Sequence, residues 1–398
     1  MSRTSSAESA SRGVVALRLL LLWLAGADLR LTLLAVPPVL PLIHRDLALD
    51  ETSIGALTGL PVLLLGLGAI PGSLLVARLG ARRALIAGLT AIALSSALRG
   101  VGPTSAVLFG MSFAMGAAIA IIQPTLPSMV KSWFPGSVAL ASAVYANGLL
   151  VGELATAGLT LPVILPVVGG SWPLALFVWA FPVAITALLI ALFTPHERKR
   201  PDEKAVLWWP NWRDTQVWKL GLMQGANGAV FFGANSFIPD YLHAIGRGEL
   251  VAACLAALNG GPLVASAAAL LWASRLTRSA GPTIAGGFLI LLGLVGVLSG
   301  IPVAMVAGAA ILGFGSAIAL ILLIALPPLL VARDEVHRLS AGMFMIGFTL
   351  SFVLPLLGGA AWDWSGYPAA AFLPVAIGGL LIPLTAARTQ YERAATPR

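Results

Sequence analysis

Twelve apolar segments of membrane-spanning length recur along this chain of 398 residues, and they constrain its fold more than any other feature. Each approaches or exceeds the roughly 20 residues that a helix needs to cross a hydrocarbon core about 30 Å thick. Their approximate bounds are 16–43, 53–77, 83–101, 104–130, 137–165, 172–194, 215–243, 248–273, 281–300, 302–331, 339–361 and 367–387. A transmembrane β-barrel would instead show short segments of alternating hydropathy. The sequence therefore predicts an all-α membrane protein with twelve transmembrane helices, called spans 1 to 12 below.

Composition excludes the common soluble classes. Charged residues make up 10% of the chain, against about 25% in an ordinary soluble domain. The lone cysteine, Cys254, excludes an internal disulfide and a cysteine-based metal cage. The sequence contains no HExxH, GxSxG or GxxxxGK[ST] motif, so we predict no enzyme activity, no cofactor and no metal site.

The basic residues indicate an orientation in the membrane. With twelve spans, the segments that connect them alternate between the two sides of the membrane. Most of the 24 Lys and Arg residues fall on one side, Arg45, Arg99 and Arg247 fall on the other, and Arg30 lies inside span 1. The positive-inside rule then places both termini and the long polar link 195–214 in the cytoplasm. Topology thus accounts for the net charge of +8, and we expect no nucleic-acid partner.

The two halves of the chain resemble each other at an offset of about 195–200 residues. Trp172-Pro173 is matched by Tyr367-Pro368, and Gly148 in span 5 is matched by Gly347 in span 11. Such a repeat is typical of transporters with a substrate site near the midplane between the halves. The predicted organisation is a disordered cytoplasmic N-terminus (1–15), a six-helix bundle (16–194), a cytoplasmic linker (195–214), a pseudo-symmetric second bundle (215–387) and a cytoplasmic tail (388–398).

Several motifs then point to a family. Six plus six helices with a charged central loop resemble the major facilitator superfamily, whose basic loop after span 2 corresponds here to 77–83 with Ala77 at the acidic position. Within it, Asp28-Leu29-Arg30 and the proline-rich 36–41 are similar to span 1 of the cyanate/nitroimidazole transporter (CynX/NimT) family. The stretches 123–127 and 147–153 also resemble that family's spans 4 and 5. The resemblance implies a secondary transporter with rocker-type alternating access.

Arg30 is the strongest single indication of a binding site. It lies near the middle of span 1, where an arginine costs roughly 2.5–3.5 kcal/mol on the translocon scale. Because it cannot deprotonate, we expect it to face a polar cavity and to offer its planar donors to an anion. The alternative is a structural ion pair with Glu153 or another helix.

Two acidic residues in the spans are candidates for proton coupling. Glu153 lies deep in span 5, which neighbours span 1 in the superfamily, so it is our first choice as a titratable partner of Arg30. Asp28 is our second choice. It lies two positions from Arg30, about 200° around the helix, and does not share its face.

Polar and aromatic stripes supply further candidates for substrate contact. In span 7 the spacing of Gln224, Asn227, Phe231 and Asn235 forms one helical stripe that lines a cavity or joins helices. Phe344 and Phe348 in span 11 form a stripe that either packs or borders the ligand. The remaining substrate-binding candidates are Tyr145, Asn147 and Gln123, of which at most one of the first two can line the site.

These features predict a transporter of the inner (plasma) membrane that moves a small anion or compact polar organic solute (cyanate-like, small carboxylate or nitro-aromatic). Proton coupling would favour anion uptake into a negative-inside cell, and we expect a monomer. The alternative is an efflux pump for hydrophobic or nitro-aromatic compounds. The gating candidates are Pro37, Pro38, Arg78, Arg82 and Arg83.

Overall fold

The computed structural model describes all residues except 1, 69–71, 73–74, 76–77, 103, 124, 135–136, 195–208, 277–278, 332–335 and 388–398. The described part consists of helices joined by turns. In the first half the helices are α1 (Ser2–Leu31), α2 (Leu40–Leu47), α3 (Glu51–Leu67), α4 (Ala81–Val101), α5 (Ser105–Ile122), α6 (Thr125–Trp133), α7 (Val138–Leu159), α8 (Leu165–Val167), α9 (Trp172–Val178) and α10 (Ala180–Phe193). In the second half they are α11 (Thr215–Ala244), α12 (Val251–Leu276), α13 (Gly281–Leu298), α14 (Pro302–Ala325), α15 (Pro327–Leu330), α16 (Val336–Ser365) and α17 (Leu373–Ala387).

Within these described ranges, nine helical segments are long and apolar enough to cross a membrane, and they match predicted spans 3–6 and 8–12. The other three predicted spans also contain helices. Span 1 is interrupted, and α11 carries buried polar side chains along its length. Helix α3 covers 17 residues of span 2, most of whose remaining part lies outside the described residues. The all-helical class is confirmed, and the observed spans are consistent with the predicted twelve.

The C-terminal half of span 1 is broken, as its prolines predict. Helix α1 ends at Leu31, a 3-10 turn covers Pro37–Val39, and α2 begins at Leu40. Proline lacks an amide hydrogen and disfavours the helical conformation of the residue before it, so this stretch cannot continue the helix. At its other end α1 begins at Ser2, and the disordered N-terminus expected for 1–15 stays a prediction.

The chain forms two compact units by internal contact. Unit 1 comprises 1–35, 68–156 and 173–199, and unit 2 comprises 36–67, 157–172 and 200–398. This grouping differs from a division at the 195–214 linker, and the two six-helix bundles stay a prediction. The boundary at 35/36 lies in the break of span 1, and the boundary at 156/157 lies in the last turn of α7, just before a π-helical stretch, Thr160–Ile164.

Small residues allow close helix packing in both units. In unit 1, an added Cβ at Gly148 or Gly152 of α7 would meet the backbone of Trp23 or Ala27 in α1. In unit 2, Gly293 of α13 and Gly308 of α14 face each other's backbones in the same way. Small-residue contacts of this kind hold membrane helices together through dispersion forces.

Candidate functional site

The site in unit 1 is built around one ion pair between α1 and α7. Arg30 Nε lies 3.3 Å from Glu153 Oε1, and the two side chains are 20% and 7% exposed. The prediction that Glu153 is the partner of Arg30 thus agrees with the geometry. Whether either residue binds substrate or protons stays a prediction.

The glycines of α7 explain why this pair forms. Gly148 and Gly152 are one turn apart, and each leaves room for the α1 backbone at a point where any larger residue would collide. The close approach brings the side chain that follows Gly152 next to Arg30 near the end of α1. A local sequence pattern of small residues therefore positions a long-range charge contact.

The geometry leaves part of the guanidinium available. Among the described residues, Glu153 is the one side chain recorded as an ion-pair or hydrogen-bond partner of Arg30, and it meets Nε. The two terminal nitrogens form the end of a planar fork that suits a carboxylate or another planar anion. One-fifth of the Arg30 side chain is exposed, so the residue is not sealed by the packing of α1 on α7.

Asp28 lies in a separate environment. Its side chain is buried, its Oδ2 has no hydrogen-bond partner, and the Thr186 hydroxyl of α10 lies within hydrogen-bonding reach of the carboxyl group. The structure thus keeps Asp28 and Arg30 on different faces of α1, as the helical spacing predicts. Its proposed part in proton coupling stays a prediction.

Three further candidates lie in unit 1 with different surroundings. Asn147 is exposed, and its Oδ1 accepts a hydrogen bond of 2.9 Å from Trp23 Nε1. Tyr145 is half-buried. Its backbone carbonyl packs closely against Gly26 of α1, where an added Cβ would collide with it. Gln123 follows the last residue of α5 and is half-buried. These positions leave their roles as substrate contacts untested.

In unit 2, the polar stripe of α11 is buried and connects helices. Asn235 Oδ1 accepts a hydrogen bond of 2.8 Å from Asn259 Nδ2 of α12. Asn227 Oδ1 accepts one of 3.1 Å from the Ser316 hydroxyl of α14. Both contacts favour the helix-joining interpretation for these two asparagines, because the amide oxygens are already engaged.

Two buried oxygens in this region have no hydrogen-bond partner among the described residues. They are Gln224 Oε1 on the stripe and Asn259 Oδ1 on the neighbouring α12. A buried polar atom without a partner costs free energy, so both could accept a donor from a bound molecule. Phe231, between Asn227 and Asn235 on the stripe, is half-buried and packs edge-on against Phe232 with ring centroids 5.6 Å apart.

The aromatic stripe of α16 makes packing contacts. Phe344 and Phe348 stack with centroids 5.7 Å apart. Gly66 of α3 lies against Phe348, and Gly59 lies against Phe352 one turn further on. These contacts are those of a helix interface, and a role of Phe344 or Phe348 in substrate binding stays a prediction.

Among the gating candidates, Arg82 has a defined structural contact. Its Nε donates to the backbone carbonyl of Thr194, and its Nη2 donates to the carbonyl of Ala191 at 2.6 Å. Arginine thereby satisfies carbonyls at the C-terminal end of α10, where the helix dipole favours a positive charge. Arg78 and Arg83 are exposed, and Pro37 and Pro38 lie in the break of span 1.

Sequence reasoning missed a buried arginine, because it counted Arg99 among charges on the outer side of the membrane. In the structure Arg99 is 1% exposed near the end of α4. Its Nη2 donates to the Thr32 carbonyl at 2.8 Å and to Ser96 Oγ at 3.2 Å, while its Nε has no partner. A position two residues from the end of an apolar segment gave no signal of burial.

Contacts around the link between α2 and α3 were also missed. The carboxylate of Asp363, at the end of α16, accepts hydrogen bonds from the amide nitrogens of Glu51 and Thr52. Asp50 accepts a hydrogen bond from the Ser53 amide, and hydrogen bonding to Ser53 lowers the pKa of Asp50. Asp363 thus caps the N-terminus of α3 from more than 300 positions away in the sequence, so no local pattern could reveal this contact.

Known proteins show similarity over most of the chain. The family model of the Major Facilitator Superfamily matches residues 20–296. The 2-nitroimidazole transporter of Escherichia coli (strain K12) is 27% identical over 367 residues, covering 90% of this chain and 91% of that protein. The cyanate transport protein CynX of the same organism is 27% identical over 360 residues, covering 87% and 90%.

A solved structure shows the same fold. A bacterial homologue of the human lysosomal transporter Spinster, in an inward-facing and unoccupied conformation, superposes with a TM-score of 0.69. Its sequence is 17% identical, and the match covers 94% of each chain. At this identity the similarity supports the fold alone.

Proposed function

Because this chain belongs to the Major Facilitator Superfamily, we propose that it transports a small anion or a compact polar organic solute by alternating access. It is a multi-pass membrane transporter and not an enzyme, in keeping with its transporter relatives. We further propose that it works as a monomer in the inner membrane with both termini in the cytoplasm.

The observation that carries the substrate class is the Arg30–Glu153 pair. The pair holds the guanidinium through Nε, and its terminal nitrogens have no partner among the described residues, with the side chain 20% exposed. A permanent cation with this planar pair of donors favours a small anion, either a carboxylate with two coplanar oxygens or the linear cyanate ion bound through one end. A nitro group also presents two coplanar oxygens, so it would fit the same donors.

The same contact supports our proposal of proton coupling. An anion bound to Arg30 would compete with Glu153 for the positive charge, and the buried carboxylate would then be stabilised by a proton. Co-transport of one proton also removes the cost of moving an anion into a negative-inside cell, about 2.3 kcal/mol per charge at 100 mV. Glu153 would in this way link substrate occupancy to protonation.

A ligand-binding experiment tests the substrate class. Thermal shifts of the purified protein are measured with cyanate, small carboxylates and 2-nitroimidazole, since a ligand that binds the folded state raises its stability. We expect Arg30→Ala to abolish the shift and Arg247→Ala, at an exposed loop arginine, to leave it unchanged.

The outcomes separate the two functions. An unchanged anion affinity in Arg30→Ala would refute the anion site. A shift seen with nitro-aromatics alone that persists in Arg30→Ala would instead support the efflux alternative.

A transport experiment tests the coupling. In proteoliposomes loaded with substrate, we expect Glu153→Gln to retain counterflow and to lose uptake driven by a pH gradient. If uptake by this variant still follows the pH gradient, the proton site is elsewhere, and Asp28→Asn becomes the variant to measure.

A further inference from the structure

Three side chains of metal-binding type lie close together: His44 of α2, Glu51 at the start of α3 and Asp240 near the end of α11. His44 Nδ1 lies 3.5 Å from Glu51 Oε1 and 4.0 Å from Asp240 Oδ1. One ligand atom from each of the three residues lies within 4.8 Å of the others. All three residues belong to unit 2, so one compact body holds the arrangement.

The two carboxylates of this cluster are buried and incompletely paired. The side chains of Glu51 and Asp240 are 6% and 7% exposed. Glu51 Oε2 and Asp240 Oδ2 each lack a hydrogen-bond partner. Burying carboxylate oxygens without partners is costly unless a cation or a proton compensates them, so both unpaired oxygens indicate a missing positive group.

Neighbouring residues do not supply that positive group. The carboxylate of Asp363 adds negative charge nearby, and its oxygens are engaged by the amides of Glu51 and Thr52. Among the described residues, His44 is the one basic side chain within 4 Å of either carboxylate of the cluster. The His44 side chain is 36% exposed, so the cluster lies at the edge of the packed interior.

We propose that His44, Glu51 and Asp240 bind a divalent transition-metal ion, with Zn²⁺ as the preferred ion. One imidazole nitrogen and two carboxylate oxygens suit zinc and its first-row neighbours, whereas Ca²⁺ and Mg²⁺ prefer oxygen ligands throughout. Three protein ligands leave a coordination position for water on the exposed side of His44. The neutral imidazole would direct Nδ1 to the ion, and the ion would compensate the carboxylates.

The ligands come from two consecutive helices, α2 and α3, and from α11, which is distant from them in sequence. An ion at this cluster would connect α2 and the first residue of α3 to the last turns of α11. Binding should therefore raise the thermal stability of the folded chain, because the unfolded chain does not hold these ligands together. The site does not depend on the proposed substrate or on proton coupling.

Metal titration of the full-length protein tests this proposal. The affinity tag is removed, the protein is treated with chelator, and Zn²⁺, Mn²⁺ or Ca²⁺ is added in a calorimetric titration. We expect saturable binding of one Zn²⁺ per chain with an increase in the melting temperature, and much weaker binding of Ca²⁺.

Ligand variants locate the ion. Loss of a residue that only supports a metal ligand typically weakens metal binding by roughly 10–100-fold. Removal of a ligand itself, in His44→Ala or Asp240→Asn, should weaken Zn²⁺ binding at least that much. The matched control is His243→Ala. His243 is an exposed histidine of α11, the helix that also carries Asp240, and its Nδ1 lies 3.0 Å from the Pro239 carbonyl. This control should bind Zn²⁺ as the unmodified chain does.

Several results would overturn the proposal. These are the absence of saturable Zn²⁺ binding, unchanged affinity in His44→Ala and Asp240→Asn, equal loss in His243→Ala, or Ca²⁺ binding as tight as Zn²⁺ binding. If His44→Ala does not give a monodisperse protein, Asp240→Asn, which preserves side-chain shape, decides the result.

Discussion

Replacing Glu153 by glutamine should tighten anion binding, although it removes a residue of the site. In the unmodified chain an anion must compete with the Glu153 carboxylate for Arg30. Glutamine keeps the shape of the side chain and removes its charge, so the guanidinium would be free without competition. A purely structural ion pair predicts the opposite, because its loss would only disturb the packing around Arg30.

The size of the effect follows from the geometry of the pair. Two unit charges 3.3 Å apart attract each other by about 5 kcal/mol at an effective dielectric constant of about 20. Desolvation of both groups offsets most of this attraction. The net stabilisation by an exposed ion pair is about 0.2–1 kcal/mol, and removing one partner of a buried pair costs about 3–5 kcal/mol. With exposures of 20% and 7%, we take about 2 kcal/mol, or roughly thirtyfold in affinity.

The assay is a calorimetric titration of the purified protein with the anion that gives the largest thermal shift. It is carried out at a fixed neutral pH and low ionic strength on the unmodified chain, Glu153→Gln and Glu249→Gln. Glu249 is an exposed loop carboxylate, 62% exposed, and its variant controls for a general change in charge. Unchanged or weaker binding by Glu153→Gln, in a protein that remains folded, would refute competition for Arg30.

Two further predictions concern packing and helix pairing. Gly152→Val should destabilise the protein by about 1–3 kcal/mol, because the added Cβ would meet the Ala27 backbone. The control Gly110→Val should not, because nothing lies within 4 Å of a Cβ added at that position. Equal unfolding free energies of the two variants would contradict the close approach of α1 and α7. Alanine substitutions at Asn235 and Asn259, combined in a double-mutant cycle, should give a coupling free energy of about 0.6 kcal/mol and at most about 1.7 kcal/mol. The free energies are measured by unfolding in mixed micelles. Additive effects of the two substitutions would indicate that the hydrogen bond between α11 and α12 contributes nothing to stability.

Much of the fold could be predicted from the sequence because membrane insertion acts on one segment at a time. A run of about 20 apolar residues specifies a spanning helix without reference to the rest of the chain. The same local reasoning located Arg30 within an apolar span, the break at Pro37 and Pro38, and the polar stripe of α11. Helical periodicity also separated Asp28 from Arg30, and the structure agrees.

The candidate site could be predicted only in part. Family resemblance singled out Glu153 as a partner for Arg30, and the ion pair is present. The same reasoning left Asn227 and Asn235 open between lining a cavity and joining helices. Their hydrogen bonds to Ser316 and Asn259 favour joining helices, because an amide oxygen already engaged with another helix is less available to a substrate.

By itself, the sequence determined that this chain is a bundle of membrane-spanning helices with one cation placed deep in span 1. Only the tertiary structure decided that Arg99 is buried and that His44, Glu51 and Asp240 meet. The physical reason is that hydropathy is a property of neighbours along the chain. Contacts between polar groups instead depend on which helix faces meet, and packing brings together residues as far apart in the sequence as Glu51 and Asp363.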